Sequence, residues 1–139
     1  MTTLHLGEVD IPYVNDGKTT VEVARILEAK YHVIEVFSEI HRDLIETTIV
    51  ESLQDAVTNM LMGAPVSVDP YGDAMAVIGA RFKTFIDMKE MEHLGIPGVP
   101  TQAAKDGVSH RFKSKRGPKN RPSFQDTGLF EDSFVPWVE

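Results

Sequence analysis

The chain has no cysteine. Disulfide staples, thiolate metal sites and cysteine nucleophiles are thereby excluded, and the composition suits assembly in a reducing cytoplasm. It also lacks any apolar run approaching the roughly 20 residues that a membrane helix needs, and any basic N-terminal region followed by an apolar stretch. A soluble, unprocessed protein is expected. Neither glycine nor proline occurs between Lys18 and Met62, so nothing in that stretch breaks a helix outright. What remains is 139 residues, of which 42% are hydrophobic, enough for one domain with a real core.

Basic residues are scarce outside one segment. Half of the 14 Lys and Arg lie between Lys105 and Arg121: Lys105, Arg111, Lys113, Lys115, Arg116, Lys119 and Arg121, against the single acid Asp106. That segment carries about +6, the chain before it about -9 and the chain after it about -4, within a total of -7. An acidic body with one basic loop suits contacts between like copies, or a loop facing phosphate or an acidic neighbour.

Leu4 to Val14 is rich in β-branched and apolar residues and reads as a short strand or extended arm, with Pro12 favouring an edge. Asn15-Asp16-Gly17 is a turn, and Thr19-Thr20-Val21-Glu22 has the form of a capping box. From 18 to 62, Ile26, Val33, Phe37, Ile40 and Leu44 recur at helical spacing. A second stripe, Ile49, Leu53, Val57 and Met60, is out of step with the first. The join falls in Thr47-Thr48-Ile49-Val50, where β-branched residues lower helix propensity. One kinked helix or two helices are expected. Unbroken, such a helix is about 65 Å long, too long to bury throughout a small domain, so part of it should pack on other subunits.

Gly63-Ala64-Pro65 should end that helix, and Asp69-Pro70 offers an N-cap and first helical position for a second one over 69–94, stopped by Gly95. Ile78, Phe82 and Phe85 or Ile86 share its apolar face. Residues 95–122 then read as an extended Gly/Pro connector, a short helix capped by Thr101, and a mobile basic loop from Ser114 to Pro122. Residues 123–139 supply a turn and a strand. The fold class expected is α+β, with long helices beside a small sheet.

Asp126-Thr127-Gly128 resembles the active-site triplet of aspartic proteases, in which two facing aspartates share a proton. Only Leu129 to Glu139 follow it here, leaving no room for the flap and core of such a domain. The better reading is a structural cap: Asp126 or Thr127 capping one helical turn, Gly128 allowing tight backbone approach, and Leu129 and Phe130 turning inward. The histidines His5, His32, His41, His93 and His110 form no His-x-x-x-His or His-x-His pair, so no metal site and no cofactor are expected. Glu35, Glu39, Asp43 and Glu46 read as a solvated helix face or a surface for a basic partner. His110-Arg111-Phe112-Lys113-Ser114-Lys115-Arg116 mixes cations with an aromatic, so Arg111, Lys113, Lys115, Arg116, Lys119 and Arg121 are candidate contacts to phosphate or to an acidic partner. A DNA-binding regulatory protein that uses Lys105 to Arg121 as its contact is the alternative of another class.

The stretch Arg121 to Phe134 resembles the Pro-x-x-x-Asp-Thr-Gly-x-Leu-x-x-Ser pattern of tailed-bacteriophage head-to-tail joining and tail-completion proteins. Pro122, Asp126, Thr127 and Gly128 match; the leucine is displaced by one, to Leu129, and Ser133 follows it. Glu28 to Tyr31, Leu61 to Pro65, Gly95 to Ala104 and His110-Arg111 also look like virion proteins of contractile-tailed phages. The resemblance implies a small α+β subunit repeated in a ring of six or twelve copies in the neck or at the tail end, assembled in the host cytoplasm and built into the virion. It implies a non-enzymatic role in tail completion, tail termination or a collar. The implied partners are copies of itself, portal, adaptor, tail-tube or sheath proteins, and non-specific packaged DNA, with no membrane. Leu129, Phe130, Phe134 and Trp137 are then the expected docking residues, since apolar chain ends this rich should be buried between subunits.

Overall fold

The computed structural model describes residues 1–14, 17–65, 67–109, 114–115, 119–125 and 128–139. The fold is α+β. Its elements run β1 (Leu4–Glu8), α1 (Thr20–Tyr31), α2 (Val33–Ile40), α3 (Arg42–Leu61), α4 (Gly72–Asp87), a 3-10 turn (Glu90–His93), α5 (Gln102–Asp106), β2 (Val108–Ser109), β3 (Ser114–Lys115), α6 (Leu129–Asp132) and β4 (Phe134–Val138).

The expected capping box forms: the Thr19 hydroxyl accepts from the Glu22 amide, and the Glu22 carboxylate accepts from the Thr19 amide at 2.9 Å. Thr20, fully buried, ties the preceding loop down by donating to the Val9 carbonyl and accepting from the Ile11 amide. The break in the 18–62 stretch does not fall at Thr47 to Val50, which lie inside an uninterrupted α3. There are two breaks, at His32, in the left-handed region with φ of 53°, and at His41. Glu28 fixes the first by accepting from the Ile34 and Glu35 amides at 2.7 and 2.9 Å, capping α2 from the preceding helix. His41 fixes the second through a 2.7 Å contact from Nε2 to Glu90. The rotation at His32 scatters the first stripe: Val33 and Phe37 are fully buried, whereas Ile26 and Ile40 are half-exposed.

The second helix is shorter than 69–94. α4 starts at Gly72, because Asp69 accepts from the Tyr71 amide in a turn ahead of the helix instead of capping it at Pro70. It stops at Asp87, where Lys89, with φ of 57°, turns the chain into the 3-10 element so that Met91 is buried. Thr101 caps α5 as expected, accepting from the Ala104 amide at 3.2 Å.

The core gathers on α4, whose Ala74, Ile78, Phe82, Phe85 and Ile86 are all buried. Phe82 stacks on Phe134 with centroids 3.9 Å apart and meets Phe37 edge-on at 5.2 Å and Phe130 at 6.0 Å. α3 covers one side of α4 and β4 another. β4 pairs antiparallel with β1, with His5 opposite Trp137 and Leu6 opposite Pro136, and β2 pairs with β3 in a second two-stranded ladder. Leu4 and Leu6 pack on the core.

Candidate functional site

The proposed docking residues fall into two groups. Phe130 and Phe134 are buried in the subunit's own core against Phe82, so neither is free to dock on a neighbour. The physical reason is the pairing of β1 with β4: the apolar segments at the two ends satisfy each other, and β4 then lies on α4. Leu129 is half-buried at the start of α6. Trp137 differs. It sits on the other side of the strand, 39% exposed, its ring stacked on His5 at 5.1 Å and lying over Gly7. A β-carbon at Gly7 would come within 3.0 Å of that ring, so glycine is what lets the indole lie flat on the sheet.

The candidate cap is partly legible. One helical turn does follow the triplet, with Gly128 at its N-cap position and φ of 79°. Asp126 and Thr127 lie outside the described residues, as do Arg111, Lys113 and Arg116. Of the other cations, Lys119 is exposed, and Lys115 belongs to β3, so the segment expected to be a mobile loop contributes one strand of a short antiparallel ladder. Arg121 serves the fold. Its guanidinium donates to the carbonyls of Gln125 and Val108 and braces the loop.

Two acids sit near the β1–β4 ladder. Burial pushes Glu8 from an ordinary 4.5 up to about 7, a rise only partly offset by the hydrogen bond that its Oε2 accepts from the Ser133 hydroxyl. Its Oε1 is buried without a partner. Burial also raises Glu131, against the bond it accepts from Gln125.

Sequence reading missed one cluster. Glu28, His32 and Glu35 bring three potential metal-ligand atoms within 4.8 Å of one another, a constellation invisible to a search for paired histidines. Both Glu28 oxygens already accept amides of α2, and His32 Nδ1 lies 2.7 Å from Glu35, so the cluster is accounted for as a helix junction.

Among the described residues, several exposed apolar side chains gather on α3. Of its 20 residues only Ile45 is buried. Val50, Val57 and Met60 are each 50% exposed, and Leu61 and Met62 are 79% and 81% exposed. An open groove runs between Val50, Leu53, Gln54, Asp55, Val57 and Thr58. Contiguous apolar surface rimmed by polar residues marks a binding site more often than a free surface. Among the described residues no helix is long and apolar enough to cross a membrane. No protein-family model matches the sequence, and no curated protein or solved structure is significantly similar to it.

Proposed function

We propose that the chain is a structural subunit of a tailed-phage particle, a ring component of the neck or tail end that acts in tail completion or head-to-tail joining by binding neighbouring subunits. Tail termination and collar formation are variants of the same reading. The observation that carries it is the outer face of α3. Val50, Val57, Met60 and Leu61 repeat at helical spacing over about 15 Å of helix, yet half or more of each remains open to water. A subunit that works alone gains nothing from such a face, whereas a subunit of an assembly buries it. The resemblance of 121–134 to tail-completion proteins, and of the connector to virion proteins of contractile-tailed phages, supplies the kind of assembly. Trp137 is a second candidate anchor, because a rigid aromatic placed flat on a strand presents large contact area at little entropic cost.

The test is the composition of purified particles of the phage that carries the gene. The chain is expected in mature virions at six or twelve copies, located by labelling at the neck or tail end. Its absence from mature virions overturns the reading.

A further inference from the structure

Lysine and arginine are unevenly distributed along the folded chain. From Asp43 to Ala80 there is no lysine or arginine, while Asp43, Glu46, Glu51, Asp55, Asp69 and Asp73 are all acidic. This stretch is α3, the following turn and the first half of α4, and it holds the apolar groove. Cations are present at the other end of α4, alongside the acids Asp87, Glu90 and Glu92. Lys89, just past the helix, donates from Nζ to the Asn120 carbonyl, and the Asn120 amide donates to the Lys105 carbonyl at 3.2 Å. That bond ties the backbone at Asn120, next to Lys119, to Lys105; both lysines are exposed, and the sequence from Lys105 to Arg121 carries seven cations and one acid.

Within one copy the two regions cannot meet. The His41–Glu90 contact at 2.7 Å pins the start of α3 beside the 3-10 turn, next to Lys89. Asp55 then lies roughly 20 Å farther along the helix axis, well beyond the screening length of about 8 Å at physiological salt. The complement to the acidic groove exists on this chain, but at the wrong end of the same molecule.

We propose that the acidic, apolar groove of α3 in one copy receives the basic edge around Lys105 and Lys119 of the next copy, head to tail. The inference rests on the ring reading only in taking a second copy as the partner; the interface itself follows from the charge layout. A contact between two different patches is heterologous and propagates from copy to copy, closing into a ring when the rotation allows. Other occupants fit less well. Nucleic acid is repelled by the acids, and an anionic membrane needs cations flanking the apolar stripe, of which α3 has none after Arg42.

The experiment is a charge swap in solution, read by sedimentation velocity at low and high salt, with far-UV circular dichroism to check folding. The four positions, Glu51, Asp55, Lys105 and Lys119, are exposed, so folding is expected to be unaffected. The wild-type chain is expected to associate at low salt and dissociate as salt rises. Glu51→Lys/Asp55→Lys and Lys105→Glu/Lys119→Glu should each weaken self-association by about tenfold or more. An equimolar mixture of the two variants should regain association, because each now carries the complement of the other. A wild-type chain that stays monomeric at low salt overturns the proposal. So does a reversal without effect, or two weakened variants that fail to rescue each other; association that no variant alters points to another surface. These outcomes are independent of the virion test: a chain found in virions without rescue loses the interface and keeps the ring, and rescue in a chain absent from virions does the reverse.

Discussion

α3 and α4 lie side by side and both carry apolar residues at helical spacing, yet they end in opposite conditions. Five residues of α4 are buried, against one of α3. The difference is position. α4 has α3 on one side and β4 and α6 on others, so every apolar side chain it turns inward finds a partner. α3 is an outer layer with one principal neighbour, and its second stripe faces away from it. Periodicity tells that a helix has an apolar face; whether the rest of the chain is large enough to cover that face is a tertiary fact.

The largest expected effect belongs to the covered helix. Phe82→Ala removes the ring on which Phe37, Phe130 and Phe134 converge, and should cost about 3–5 kcal/mol of stability in denaturant unfolding. A loss below about 1 kcal/mol would show that the packing centre lies elsewhere. The pH dependence is a smaller test, of the strand layer beneath. Because Glu8 is raised in the folded state, it is protonated in both states below pH 4.5 and its contribution to stability is then fully present. As pH rises from 4.5 to about 7 the unfolded chain ionises first and stability falls; above that it levels off. Glu8→Gln should flatten this fall in urea titrations between pH 4.5 and 7, and an unchanged slope would assign it to other groups such as Glu131.

Thr19→Ala, which deletes the capping box of α1, should cost about 1 kcal/mol, a thermal-melt shift of a few degrees. Val57→Ser on the open face of α3 closes the series. Monomer stability should move by no more than about 0.5 kcal/mol, while association of the chain weakens. A large loss of monomer stability would mean that the α3 face is covered within the subunit after all, and the contrast between the helices would collapse.

What could be read from the sequence was local. The Thr19 and Thr101 caps, the stop at Gly63 and the α+β class depend on residues within a few positions of one another, and they form as their chemistry dictates. The breaks at His32 and His41 were not legible: His32 enters the left-handed region with no glycine to announce it, and the support for both breaks comes from elsewhere. Glu28 caps across the junction, and Glu90 reaches His41 from 49 positions away. The same holds for the aromatic C-terminal stretch. Phe130 and Phe134 read as docking residues until β1 is placed beside β4, which no local pattern announces. Of the candidate contacts, Trp137 and Lys119 remain on the surface, whereas Arg121 is consumed by two carbonyls.

The β1–β4 ladder also fixes an order of events in folding. Its register joins Leu4 to Val138 and Glu8 to Phe134, so forming it closes a loop that contains every helix of the chain. Closing so long a loop early brings an entropic cost with no contacts yet made to offset it. The helical layers, whose contacts are closer in sequence, therefore come together first, and the ladder zips onto α4 afterwards. Weakening β1 should leave the refolding rate nearly untouched and hasten unfolding, the signature of a region that is unstructured at the folding barrier.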